Sequence, residues 1–317
     1  MRKKVDNKET ISGRIYEHTL VKKVVERADS PNKGTEFITG TVSVATDEDI
    51  MNIIEVHYTY VTEISKTGKK NSTYAVLNKI LEEGKTVLAD GKDEAMLVQL
   101  TPSLALNDFY TSRNGDEQLV SAKRNEGGFA SFIKALPEKE NQRAVFELDV
   151  LISGARLVEA DPEKNIDEDY MILKCYAFDF RKAILPVELI ARDPRAIKYF
   201  ENLELSSSNP LFTKVKGQLK SRTDVTKIEE ASAFGEPSVK EFTKSTKEWV
   251  VTWAQEVPYE LGDSENGITA DDIKQALADR ELYLAGVKKR QDEWQATKNA
   301  VKSTPLTAAE GAFDFLS

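Results

Sequence analysis

Two histidines, His18 and His57, and one cysteine, Cys175, are the whole stock of imidazole and thiol in the chain. A three-histidine metal site is therefore excluded. The runs Asp47-Glu48-Asp49 and Asp167-Glu168-Asp169 offer oxygen ligands to a hard cation. Each also reads as a solvated turn between two ordered segments. There is no phosphate-binding glycine loop, no Gly-x-Gly-x-x-Gly opening a helix and no nucleophile elbow. We read no catalytic residue, metal site or cofactor, and expect no enzyme.

Aromatic side chains interleaved with cations are a different kind of chemistry. Arg14, Lys33 and Phe37 precede Tyr58 and Tyr60. Phe109-Tyr110 leads into Arg113, and Lys123-Arg124 leads into Phe129. Tyr176, Phe178 and Phe180 alternate and run into Arg181-Lys182, and Phe212, Lys214, Lys216 and Lys220 fall on one strand face. Single-stranded nucleic acid uses such pairs. Bases stack on aromatic rings for about 1–3 kcal/mol each, and cations track the phosphates. Any one of these aromatics can equally be core, and Phe178 suits the core better. Core packing gives no reason for the Lys214, Lys216, Lys220 row, although a solvated face does.

The elements that must hold these residues are mostly strands. Ile11 to Tyr16 opens one, and Leu20 to Val25 is a second apolar run before the turn cluster Asp29 to Gly34. Phe37 to Ala45 and Asn52 to Ile64 alternate, with Ile54, Val56, Tyr58 and Tyr60 on one face. Tyr74, Leu77 and Leu81 shift to helical spacing, with Gly84 as the stop. Met96 to Leu100, Leu104 to Thr111 and Glu117 to Ala122 are strands, the last two joined at Arg113-Asn114-Gly115-Asp116, a strong hairpin signal. Gly127-Gly128 interrupts the pattern. Ala144 to Val158 is a long strand, or two strands bent at Gly154.

The second half repeats this order. Tyr170 to Phe180 reads as a strand, Ile184 to Phe200 as mostly helix, and Leu211 to Ser221 and Trp249 to Ala254 as strands. The polar segment Thr223 to Lys247 reads as a loop or irregular insertion. Beyond Pro258 a helix starts at Thr269, with acids in its first turn and Lys288-Lys289-Arg290 in its later half, as the macrodipole favours. Ile273, Leu277, Leu284, Val287 and Trp294 trace an apolar stripe along it.

The net charge of −9 speaks against a uniformly basic nucleic-acid binder. The acid is uneven, however. Residues 256–317 carry twelve acidic and seven basic side chains, whereas residues 1–255 carry 41 and 37. A local basic groove is compatible with that body. No apolar run approaches the roughly 18 residues of a membrane span. The polar N-terminus argues against a signal peptide, and the single cysteine fits a reducing compartment, so the cytoplasm is expected.

The order strand, strand, strand, helix, strand, strand is that of an OB fold, and it occurs twice. The run Lys33-Gly34-Thr35-Glu36-Phe37-Ile38-Thr39-Gly40, continuing Val42 to Asp47, resembles bacteriophage single-stranded DNA-binding proteins. So do Leu106-Asn107-Asp108-Phe109-Tyr110 and Arg124-Asn125-Glu126-Gly127-Gly128-Phe129. The resemblance implies binding of single strands without sequence preference, in phage DNA replication or recombination. It also implies a tail that recruits replication or recombination proteins, with Asp314 and Phe315 in that part. Only Glu310 and Asp314 are acidic in the last dozen residues, which departs from the acidic tail of that family.

The expected fold is mainly β (α+β). Tandem OB-like antiparallel barrels occupy residues 10–150 and 151–258, a helical arm residues 268–302 and a flexible tail residues 303–317. The expected nucleic-acid contacts are Arg14, Lys33, Phe37, Tyr58, Tyr60, Phe109, Tyr110, Arg113, Lys123, Arg124, Tyr176, Lys214, Lys216 and Lys220. The stripe Ile273, Leu277, Leu284 and Val287 is expected to dock on a barrel or on a second subunit. A competing reading is a β-rich structural or interaction protein, an assembly or inhibitor factor, that forms homo-oligomers through the arm.

Overall fold

A computed structural model describes residues 5–65, 67–113, 116–164, 166–230, 238–262 and 268–303, with the backbone alone at 113, 164, 222–230, 238–245 and 297–303. The first half runs β1 (Asn7–His18), β2 (Val21–Val24), β3 (Glu36–Ala45), β4 (Ile53–Thr62), α1 (Ser72–Glu83), α2 (Val87–Asp90), β5 (Leu97–Arg113) and β6 (Asp116–Phe132). The second runs β7 (Ala144–Val158), β8 (Tyr170–Phe178), β9 (Ile184–Ala191), α3 (Pro194–Glu201), β10 (Leu211–Glu230), β11 (Ser238–Ala254) and α4 (Ala270–Ser303). The chain is mostly β with a small helical part.

The strands close into two rings. In the first, β1 pairs with β3 and β5, β3 with β4, β5 with β6, and β4 lies parallel to β6. In the second, β7 pairs with β8 and β10, β8 with β9, β10 with β11, and β9 lies parallel to β11. Each ring therefore has the same order of five strands, with a helix between its third and fourth. The rings share a ladder, because β1 also pairs with β7 from Asn7↔Leu148 to Ile11↔Ala144. β7 runs unbroken through residues 150 and 151, where a domain boundary was expected.

Alternation explains the core. On β7, Ala144, Phe146, Leu148, Val150 and Ile152 point inward and are buried. On β8, Met171, Leu173, Cys175 and Ala177 do the same, which turns Ile172, Lys174 and Tyr176 outward. The helix α1 closes the first ring with Tyr74, Leu77 and Ile80, and Asn71 caps it by accepting the Thr73 N–H at 3.1 Å. In the second ring α3 does so with Ile197 and Phe200, starting at Pro194 behind the Asp193 cap.

Two expectations are corrected, and a third reading gains its cause. Ile184 to Ala191 is the strand β9, because Val187, Leu189 and Ala191 are buried at a spacing of two, and helix begins only at Pro194. Thr223 to Glu230 and Ser238 to Lys247 are strand where a loop or irregular insertion was expected. They extend β10 and β11 into a long hairpin paired from Ser221↔Lys247 to Glu230↔Ser238. Gly127-Gly128, expected to interrupt the pattern, does so within one strand. It forms a bulge inside β6, where Gly128 has φ +80° and an added Cβ would lie 1.9 Å from the Thr101 carbonyl oxygen.

The helix α4 folds back on its own chain. The Thr269 hydroxyl accepts the Asp272 N–H at 3.2 Å, and the Asp272 carboxylate accepts the Thr269 N–H at 2.9 Å, which is a capping box. Ile268, Ile273 and Ala276 then cover Leu151, Phe178, Ile184 and Phe212 beside Val5 in a second, smaller core. Of the expected stripe, Ile273 and Val287 are buried and Leu284 partly so. Leu277 is 38% exposed and Trp294 62% exposed.

Candidate nucleic-acid interface

At the free end of the first ring, Phe37 on β3 and Tyr60 on β4 stack with centroids 4.7 Å apart and planes tilted by 42°. The register shift between Ile38 and Gly40 of β3 falls between Tyr58 and Val61 of β4. Tyr58 is 1% exposed in the core, whereas Tyr60, expected on the same face, is 43% exposed. The strand β2 pairs along Glu36 to Thr39 and raises a wall beside the pair. Lys22, Lys23, Arg27, Glu36, Phe37 and Tyr60 line the resulting concavity of about 760 Å³. Arg27 is held to Asp29 at 2.7 Å, and Glu36 accepts the Tyr74 hydroxyl at 2.7 Å, so the exposed cations Lys22 and Lys23 share the concavity with the Glu26 and Glu36 carboxylates. Lys33 is exposed in the turn after this wall.

Other expected contacts lie elsewhere. Arg14 is 18% exposed and faces Glu48 at 3.4 Å. Glu48 also binds Lys92 at 3.0 Å and Arg143 at 2.8 Å, and these hydrogen bonds hold its pKa down to about 2. Asp47 accepts the N–H groups of Met51 and Asn52. The first acidic run is therefore a braced turn. Tyr58, being buried, presents no face to a base.

The β5–β6 hairpin has two different faces. Phe109 is 39% exposed on one of them. On the other, α4 lies against Asp108, Tyr110 and Glu117. Arg280 grips the Asp108 carboxylate at 2.5 and 2.8 Å, Gln291 exchanges hydrogen bonds with both backbone groups of Tyr110, and Lys288 pairs with Glu117 and sits 5.2 Å from the Tyr110 ring. Lys123 reaches to the second ring, donating to the Glu188 carbonyl at 2.7 Å and lying 4.7 Å from the Trp249 ring. Burial pushes its pKa down. Arg124 pairs with Glu126 at 2.8 Å. The side chain of Arg113 lies outside the described residues.

In the second ring Tyr176 is half-buried on β8. The lysine row divides. Lys214 is 14% exposed and held by Asp6, Glu147 and Asp149; burial works against its charge, but the hydrogen bonds it donates to Asp6 and Glu147 win and raise its pKa. Lys216 is 3.2 Å from Glu147 and 5.3 Å from the Trp253 ring, and Lys220 is exposed. Asp314 and Phe315 lie outside the described residues.

The sequence reading missed Lys22, Lys23 and Trp253. Adjacent lysines inside the apolar run Leu20 to Val25 were the available signal for an exposed edge strand. Elsewhere, Cys175 is buried and its pKa raised by burial, which keeps the thiol protonated. Burial also lowers the pKa of His57, whose Nδ1 lies 3.0 Å from the Thr41 hydroxyl. Among the described residues no group of three or more histidine, cysteine or carboxylate side chains is placed to hold a metal, and no helix is long and apolar enough to cross a membrane.

The sequence model of the YorF family matches residues 8–290. No curated protein matches the chain. Among solved structures it is similar to the wild-type single-stranded DNA binding protein from Thermus aquaticus, at 11% identity and a TM-score of 0.42, covering 83% of this chain and 99% of that one. It is also similar to a deletion mutant of that protein, at 10% identity and a TM-score of 0.45, with the same coverage.

Proposed function

The chain belongs to the YorF family, and we propose that this member binds single-stranded DNA without sequence preference, using two OB-fold barrels. The strand order supports the barrel reading: each ring closes first strand to fourth and lays third parallel to fifth around an intervening helix. An OB fold binds oligonucleotides over its second and third strands and the adjoining loops. In the first ring those strands are β3 and β4.

The observation that carries the reading is the open Phe37–Tyr60 stack under the Lys22 and Lys23 wall. Two tilted rings present faces on which bases stack, and the two lysines lie where phosphates would pass. Every base has such a face, so the binding is tolerant of sequence. A place in DNA replication or recombination, in a phage-infected cytoplasm, follows from that activity as part of the proposal. The competing reading, assembly through the arm, has less support, since Ile273 and Val287 are already buried on their own chain.

The test is fluorescence anisotropy with labelled single-stranded and duplex oligonucleotides at low and moderate salt. The parent should prefer the single strand and weaken steeply with salt. The double variant Phe37→Ala, Tyr60→Ala should lose about 10- to 100-fold in affinity, the loss of about one stacked base at about 1–3 kcal/mol. Equal binding of duplex, or an unchanged double variant, overturns the reading.

A further inference from the structure

We propose that a second single-strand contact runs from the seam between the two rings, at Lys8 and Glu147, across β10 to Trp253 on β11. This inference rests on the reading of the chain as a binder of single strands, and it adds a surface outside the β3–β4 face.

The seam is a continuous outer sheet. Lys8 of β1 stands opposite Glu147 of β7, which stands opposite Lys216 of β10, which in turn stands opposite Trp253 of β11. Cross-strand partners project on the same side of a sheet, so these four side chains form one row across four strands. Over the Lys8, Glu147 and Lys216 part of the row lies a concavity of about 420 Å³ lined also by Thr10, Lys139, Gln218 and Thr252, with Trp253 beyond its rim on the far side of Lys216.

Its chemistry suits a strand with stacked bases and a phosphate edge. Trp253 is 47% exposed, and the Lys216 ammonium lies 5.3 Å from its ring. Glu147, the carboxylate in the row, pairs with Lys216 at 3.2 Å and shares Lys214, at 2.9 Å, with Asp6 and Asp149, and the Lys214 and Lys216 hydrogen bonds hold its pKa low. Lys8 and Lys139 are exposed and form no ion pair among the described residues. Two such cations, an open indole, and the amide and hydroxyl groups of Gln218, Thr10 and Thr252 together match a single-stranded nucleic acid. A closed duplex offers no base face to Trp253, and an acidic peptide has no use for the ring.

Fluorescence separates this site from the first. In a Trp294→Phe background, Trp253 is the exposed indole and Trp249 stays buried. An oligothymidylate of about 30 nucleotides, long enough for more than one barrel, should quench that emission. Quenching should persist, at weaker affinity, when Phe37→Ala and Tyr60→Ala are added. Lys8→Ala, Lys139→Ala should weaken the long oligomer several-fold and reduce the salt slope by about 1.4, at about 0.7 per phosphate contact. An oligomer of about 8 nucleotides bound at Phe37 and Tyr60 should be unaffected by that pair. Trp253→Ala should cost about tenfold on the long oligomer, and circular dichroism checks that each variant is folded.

If anisotropy shows the long oligomer bound while Trp253 is unquenched and the lysine pair changes neither affinity nor slope, the seam is overturned and the first site stands. If the parent binds no single strand of either length, the proposed function falls and the seam with it. Equal quenching by a duplex or by polyglutamate also overturns it.

Discussion

Glu9 shows how far one side chain can depart from its type. It lies fully buried on β1, accepts the Trp249 indole N–H at 3.0 Å through one oxygen, and leaves the other without a partner among the described residues. Burial pushes its pKa up to about 8. A carboxyl whose folded pKa exceeds its unfolded value binds more protons when folded. The stabilisation is then complete below about 4.5 and is lost as pH rises through about 8. Urea midpoints should therefore fall between pH 5 and pH 8, and Glu9→Gln, which keeps the indole bond, should flatten that slope. A variant with the parent's slope would mean that Glu9 is ionised throughout. Part of this was legible, since Glu9 shares strand parity with Ile11 and Ile15, both buried. Its partner Trp249 lies 240 residues away, beyond the reach of local periodicity. The same distance hid the fate of Lys214, whose place in a row of lysines gave no sign of Asp6 and Asp149 beside it.

Elements were legible where one period dominated. The α1 helix follows from its spacing and ends at the expected Gly84, β3 and β4 follow from alternation, and the β5–β6 hairpin from its turn residues. The polar β10–β11 extension was missed because a two-stranded ribbon satisfies its hydrogen bonds in its own ladder and needs no apolar face. The beginning of β9 was misread because Ile184, Leu185 and Val187 fit a helix until Glu188 and Leu189 establish a spacing of two. For α4 the sequence showed an apolar stripe but not its counterpart. The anchor is polar: Asp108 is 1% exposed and Arg280 11% exposed, and they form a two-pronged pair that fixes the arm on the β5–β6 hairpin. Removing one partner leaves the other buried and unpaired, at a cost of about 3–5 kcal/mol. Arg280→Ala should accordingly raise hydrogen exchange along α4 and lower the thermal midpoint. Asp108→Asn, Arg280→Met should recover part of the loss. Unchanged exchange in Arg280→Ala would show that the apolar contacts of Ile273, Ala276 and Val287 hold the arm by themselves.

At the scale of the whole molecule, two rings that resemble separate domains are joined as one sheet. Domains in one chain ordinarily meet across modest interfaces and move relative to each other. Here a backbone ladder between β1 and β7 crosses the boundary, and side chains lock it. Asn52, in the first ring, donates to the Leu219 carbonyl at 3.1 Å and accepts the Ser221 N–H at 2.6 Å in the second. Lys123 donates to the Glu188 carbonyl, and Lys247 pairs with Glu55 at 2.5 Å. Unfolding one ring would strip the β1–β7 ladder, from Asn7↔Leu148 to Ile11↔Ala144, off the edge of the ring that remains, so the two should unfold together. Far-UV circular dichroism and tryptophan emission should then trace a single coincident urea transition. Asn52→Ala, Lys123→Met removes two of the locks and leaves both cores intact. In that variant the emission of Trp249, which sits at the junction, should change at lower urea than the dichroism. If the chain binds single strands as proposed, the fixed relation of the rings should also set the path of the bound strand. Loosening it should alter the number of nucleotides covered by each protein while short oligomers bind as before. Two separate transitions in the parent would show that the shared ladder does not couple the rings, and an unchanged site size in the double variant would show that the strand path is set within each ring alone.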